Sequence, residues 1–140
     1  MRIAGVLETC LYASDLDAIE QFYTTVLGLE VFARVEGRHV FFRCGHGVFL
    51  VFNPDRTSNE QSWVAEVPVP LHGTYGPGHM AFAVADSEIP AWRRRLEQLG
   101  VTIEADIPWP RGGRSLYFRD PAGNSIELAS PRIWGLSERD

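Results

Sequence analysis

Ser115-Leu-Tyr-Phe-Arg-Asp-Pro-Ala-Gly-Asn-Ser-Ile-Glu-Leu-Ala129 is the stretch whose reading decides the fold. It has the pattern of a β-hairpin. Residues 116–119 form a short aromatic strand. Residues 120–124 form the turn: proline fixes φ, glycine accepts φ above zero, and Asp and Asn side chains bond the nearby backbone. Residues 125–129 return as a second strand. Alternation puts Ile126 and Leu128 on one face and Glu127 on the other. A carboxylate among aliphatic neighbours is either in water or held by a partner, and the rest of the chain bears on which.

The hairpin has an earlier counterpart. At an offset of 76, Val40-Phe-Phe-Arg43 falls on Leu116-Tyr-Phe-Arg119, Gly47 on Gly123 and Val51 on Glu127. Upstream, an offset of 71 sets Glu8 on His79 and Asp15 on Asp86; one extra residue then sets Gly28 on Gly100. Such self-similarity is read as a duplicated unit. In the first copy, residues 6–13 read as a strand and Ser14 or Asp15 as an N-cap. Leu16, Ile19, Phe22, Tyr23, Val26 and Leu27 recur at helical spacing, and Gly28 ends the helix. Strands follow at 29–35, 39–43 and 48–52. In the second copy, 79–85 is a strand, Ile89, Trp92, Leu96 and Leu99 mark a helix, and 101–104 is a strand before the hairpin.

The expected fold is α+β: two tandem βαβββ modules related by pseudo-two-fold symmetry, enclosing a cleft between curved mixed sheets. Module one spans about 1–55 and module two about 79–130. Residues 53–78, rich in Pro, Gly, Ser and Asn, form a long connecting loop. The tail 131–140 carries Ile133, Trp134 and Leu136, apolar residues suited to docking on the body or on a second subunit.

With 140 residues, 45% hydrophobic and 22% charged, the chain can bury one real core. A net charge of −5 gives no reason to expect a nucleic-acid or anionic membrane partner. No apolar run is long enough to span a bilayer and no signal-peptide pattern opens the chain. Cys10 and Cys44 read as reduced thiols packed in strands, and the expected location is cytoplasmic.

The strand parities converge on a candidate site. Thr9, Leu11 and Ala13 match Met80, Phe82 and Val84 as the helix-facing set. Glu8, His79 and Glu127 then share the opposite face, on three different strands. Two carboxylates and an imidazole suit a divalent transition metal, with positions left for substrate. The competing assignment makes His79 an ordinary strand residue and leaves the glutamates solvated or paired with arginine. By the repeat, His39, Phe41 and Arg43 face the same way. His39 is a candidate general base or substrate donor, against a structural hydrogen-bonding role. Cys10 and Tyr12 share the parity of Glu8. Trp109-Pro-Arg-Gly-Gly-Arg114 is a cationic loop in which Arg111 and Arg114 can clamp a carboxylate or phosphate, or simply be solvated. His46 and His72 fall in loops and read as surface residues.

The chain resembles the vicinal oxygen chelate superfamily of glyoxalase I, fosfomycin-resistance thiol transferases, extradiol dioxygenases, methylmalonyl-CoA epimerase and bleomycin-binding proteins. The resemblance rests on Ala13-Ser-Asp-Leu-Asp-Ala-Ile-Glu-Gln-Phe-Tyr-Thr-Thr-Val-Leu-Gly-Leu29, on Gly78-His-Met-Ala-Phe-Ala-Val84 and on Tyr117-Phe-Arg-Asp-Pro-Ala-Gly-Asn-Ser-Ile-Glu127. It implies metal ligands at Glu8, His79, Val51 and Glu127. Val51 has no donor, which leaves Glu8, His79 and Glu127 for a Mn, Fe, Ni, Co or Zn ion. It also implies a substrate contact for Tyr117, with Glu8 or Glu127 moving the proton and His39 in reserve. The implied activity is metal-dependent, Lewis-acid stabilisation of an enediolate or alkoxide on a small oxygen-chelating substrate, of lyase, isomerase or thiol-transferase type. The alternatives are an Fe(II) extradiol-dioxygenase-like enzyme and a metal-free protein that binds and sequesters an antibiotic. The resemblance further implies a homodimer.

Overall fold

The computed structural model describes residues 1–138. They form mixed α+β structure in two units, Met1–Gly76 and the described residues from Pro77 onward, each built on one four-stranded sheet.

In the first unit β1 (Glu8–Tyr12) leads to α1 (Leu16–Thr25), β2 (Glu30–Val35), β3 (His39–Cys44) and β4 (Gly47–Phe52). The sheet order is β1-β4-β3-β2, with β1 parallel to β4 and the other pairs antiparallel. Asp15 starts α1 by accepting the Ala18 amide at 3.0 Å. Gly28, at φ 70°, turns the chain out of it. The helix buries Leu16, Ile19 and Tyr23. The Tyr23 ring meets Phe49 edge-on at 4.9 Å and Phe42 at 5.6 Å, so those two rings mark the helix-covered face. His39, Phe41, Arg43 and Phe52 alternate to the other face.

The connecting segment is more structured than its composition suggests. Asn53 caps a one-turn helix, α2 (Pro54–Thr57), by accepting the Asp55 amide, with proline at its first position. A two-stranded hairpin follows, β5 (Trp63–Val64) with β6 (Val67–Pro68). Its turn holds Ala65 and Glu66 at positive φ, 46° and 65°. A primed turn needs that backbone, which usually selects Asn or Gly, so Ala-Glu does not announce it.

The second unit repeats the plan with β7 (His79–Ala83), α3 (Ile89–Gln98), β8 (Ala105–Pro108), β9 (Arg114–Arg119) and β10 (Ser125–Ala129), ordered β7-β10-β9-β8. Residues 101–104 are not a strand. Gly100, at φ 70°, and Val101 donate back to Glu97 and Leu96, which closes α3 with a Schellman turn and holds Val101 at the helix end. Pairing with β9 begins only at the Glu104 amide, which donates to the Tyr117 carbonyl. Asp86 does not cap α3 as Asp15 caps α1. It opens a 3₁₀ turn, Asp86–Glu88, and pairs with Arg132. In the tail, Ser130 caps a 3₁₀ turn, Pro131–Trp134, that lays Ile133 beside Gly113. Among the described residues, no helix is long and apolar enough to cross a membrane.

The ladders correct the repeat by one position. Phe41 pairs with Leu50, and its counterpart Tyr117 pairs with Glu127. Four residues separate Arg43 from its partner Val48, whereas five separate Arg119 from Ser125. The longer second turn makes Leu50, not Val51, the equivalent of Glu127. Val51 is wholly buried on the helix side. The pairing of Glu8 with Val48, and of His79 with Ser125, keeps Glu8 and His79 equivalent.

Candidate functional site

The second unit assembles Glu127, His79 and Tyr117 from three adjacent strands. Glu127 lies on β10 directly opposite Tyr117 on β9, and β7 brings His79 alongside through its pairing with Ser125. The Glu127 carboxylate is not in water: the residue is 5% exposed. Its Oε2 is 3.4 Å from His79 Nε2, and its Oε1 is buried with no hydrogen-bond partner. A buried polar atom without a partner is costly and rare.

His79 shows how the pair is oriented. Its Nδ1 lies 3.0 Å from the Ser125 carbonyl oxygen. A carbonyl only accepts, so Nδ1 carries a hydrogen and Nε2 is the nitrogen aimed at Glu127. An imidazole nitrogen and a carboxylate oxygen at this distance are bridged by a proton or by another cation. Two donors each about 2.1 Å from a shared tetrahedral ion stand about 3.4 Å apart, which is the separation seen. A ligating histidine usually has its far nitrogen held by such a bond, which fixes the orientation of the ring. The spacing suits two ligands of one divalent ion and equally a proton-bridged ion pair.

Tyr117 stacks beside the His79 ring, with centroids 6.2 Å apart. Burial and then the neighbouring Glu127 carboxylate push its phenol above the ordinary value, so it remains a hydrogen-bond donor at neutral pH. The turn that carries these strands is itself a network. Asp120 Oδ1 accepts the Ala122 and Asn124 amides, and Asn124 Nδ2 donates to Asp120 Oδ2.

In the first unit Glu8 is exposed on β1, on the face shared with Cys10 and Tyr12. Among the described residues, no three His, Cys, Asp or Glu side chains stand close enough together to hold a metal. His39 stacks flat on Phe41, 4.0 Å between centroids and 9° between planes. Its Nδ1 is buried without a partner, and burial followed by Arg38 lowers its pKa, favouring neutral imidazole. Tyr12 Oη shares a 2.7 Å hydrogen bond with His72 Nδ1. Burial and Cys10 push the Tyr12 phenol up to about 12. His72 is thus half-buried against Phe52 rather than on the surface, a contact that no local signal in its Pro- and Gly-rich segment foretells.

The candidate arginines divide. Arg114 and Arg93 both pair with Asp106, so Arg114 is engaged inside the second unit. Arg111 is exposed in its loop. Arg43 lies with its guanidinium carbon 4.2 Å from the Phe32 ring centroid. A concavity of about 710 Å³ in the second unit is lined by Ala81, Ala83, Trp92, Trp134 and Leu136 among others, without His79 or Glu127. The His79–Glu127 pair is singled out by its chemistry and not by concavity.

Residues 5–128 match the Glyoxalase/Bleomycin resistance protein/Dioxygenase superfamily. The crystal structure of lactoylglutathione lyase from Agrobacterium tumefaciens is similar at a TM-score of 0.89 and 42% identity, over 97% of this chain and 100% of that one. Glutathione transferase FosA of Serratia marcescens is 33% identical over 121 residues, 84% of this chain and 74% of its own. Metallothiol transferase FosB of Bacillus licheniformis is 28% identical over 134 residues, 95% of this chain and 79% of its own.

Proposed function

This chain belongs to the Glyoxalase/Bleomycin resistance protein/Dioxygenase superfamily, and from that premise we propose a metal-dependent enzyme acting on a small oxygen-chelating substrate, of lyase, isomerase or thiol-transferase type. The observation that carries it is the buried Glu127 carboxylate, with one unpartnered oxygen and the other facing His79 Nε2. The names of the relatives agree: two refer to glutathione and one to a metallothiol. A thiol or its adduct is therefore the first substrate class to try.

Glu127 and His79 would hold the ion in this reading, with Glu8 proposed as the third ligand. A bound divalent ion supplies a Lewis acid for negative charge developing on substrate oxygens. Tyr117, kept protonated, donates a hydrogen bond to one such oxygen. Glu8 or Glu127, partly released from the ion, would take the proton from the substrate carbon in an isomerase or lyase step, with the neutral His39 imidazole as the reserve base. A homodimer belongs to the same proposal, supported by exposed Trp134 and Leu136.

Elemental mass spectrometry on untagged wild type, His79→Ala, Glu127→Gln and Glu8→Gln tests the reading. Near-stoichiometric metal in wild type, lost in the variants, is expected. Wild type that stays metal-free after incubation with Mn, Fe, Ni, Co and Zn would sink it in favour of a ligand-binding protein. Bound iron with oxygen uptake on catechols would move it to the dioxygenases.

A further inference from the structure

The ladders allow the two sheets to be compared row by row. The row His79–Ser125–Arg119 in the second unit corresponds to Glu8–Val48–Arg43 in the first. The row Ala81–Glu127–Tyr117 corresponds to Cys10–Leu50–Phe41, and Ala83–Ala129–Ser115 to Tyr12–Phe52–His39. The second unit has its acid and phenol where the first has aliphatic and aromatic carbon.

That carbon forms a continuous aromatic surface. His39 stacks on Phe41, and Phe52 stands edge-on to both at 5.9 and 5.3 Å. Tyr12 extends it beyond Phe52 at 6.3 Å. At the other end a bulge between Val31 and Ala33 leaves Phe32 as an extra residue on β2, 6.1 Å from Phe41. The charge at this end is distinctive. Arg119, the counterpart of Arg43, is taken up by a two-point contact with Glu104. Glu30 lies opposite Arg43 in the ladder, yet among the described residues no carboxylate forms an ion pair with Arg43, which rests on Phe32 instead.

We propose that this face of the first unit is a recognition subsite for a flat, apolar anion, with its ring over His39, Phe41 and Phe52 and its negative group on Arg43. Rings in offset or edge contact discriminate planar carbon from alkyl chains. An unpaired guanidinium offers a two-point site for carboxylate, sulfonate or phosphonate. The inference rests on the enzyme reading above for its meaning as a substrate subsite, but not for its test.

The test uses the full chain stripped with chelator, and a sulfonate because it is a poor metal ligand. Naphthalene-2-sulfonate, methanesulfonate and naphthalene-2-sulfonamide are titrated against wild type, Arg43→Gln and Phe41→Leu by two-dimensional amide NMR. The aryl sulfonate should bind at least about tenfold more tightly than either comparison compound. Arg43→Gln should weaken the sulfonate about tenfold and leave the sulfonamide unchanged. Phe41→Leu should weaken both aryl compounds, and the shifted amides should cluster on β3 and β4. A sulfonate affinity indifferent to Arg43→Gln, or shifts confined elsewhere, would overturn the subsite. Metal content is measured separately on Arg43→Gln and should equal that of wild type. Aryl binding without metal retention defeats the enzyme reading alone, and metal retention without aryl binding defeats the subsite alone.

Discussion

Asn124 Oδ1 accepts the Gly78 amide at 2.7 Å, and so ties the hairpin turn of the second unit to the residue just before His79. The same side chain donates from Nδ2 to Asp120 at 2.9 Å and is 1% exposed. Asn124→Ala leaves both partners short of a bond and should cost about 1–3 kcal/mol. Because β7 loses its anchor beside the site, divalent metal affinity should fall as well. Chemical denaturation and a metal titration check the two effects.

Glu127→Gln separates stability from metal binding. Glutamine removes a buried carboxylate oxygen that lacks a partner and can offer an amide N–H to the facing His79 Nε2, so metal-free stability should stay unchanged or rise. Wild type should gain about 2.7 kcal/mol when the metal is at 100 times its Kd, and the variant nothing. Thermal melts with and without metal read this directly. Equal stabilisation of both proteins would show that the ion binds elsewhere.

His39 predicts a pH dependence. Burial, with Arg38 adding to it, depresses its folded pKa below the unfolded value near 6.5. The unfolded chain then binds more protons than the native one in the window just below that value, so this contribution to stability is present above about pH 6.5 and lost as pH falls. His39→Phe should flatten that part of the curve of stability against pH. Denaturant melts between pH 5 and 8 measure it.

Gly113 combines a φ of +82° with close contact. A Cβ there would stand 2.8 Å from Ile133 Cγ2 and 3.0 Å from the Ile133 amide nitrogen. Gly113→Ala should cost about 1–2 kcal/mol for the left-handed backbone alone, and more for displacing the tail. The melting temperature should drop, and the fluorescence of Trp134, one residue beyond Ile133, should shift with it.

The fold was legible because its signals are local. Asp120, Pro121, Gly123 and Asn124 admit few conformations other than a turn, and alternation then places Glu127 apart from Ile126 and Leu128. Helical spacing from Leu16 onward found α1 for the same reason. Contacts between distant segments were not legible. Tyr12 and His72 are 60 residues apart, and nothing near His72 marks it as half-buried. The Phe32 bulge depends on how β2 meets β3, which a single strand does not record. The unpartnered Oε1 of Glu127 is a property of packing, so the sequence offers the carboxylate and only the structure shows its burial.

The extra residue in the second hairpin turn acts like a frameshift between two copies of one message. An engineer restoring symmetry by copying the acidic site into the first unit would need Leu50→Glu with Phe41→Tyr, keeping the shorter turn. The graft that simple numbering suggests, Val51→Glu, would drive a carboxylate into the carbon packed under α1 and unfold the unit. Turn length thus works as punctuation: it leaves each strand's wording intact and determines which face of the sheet reads it.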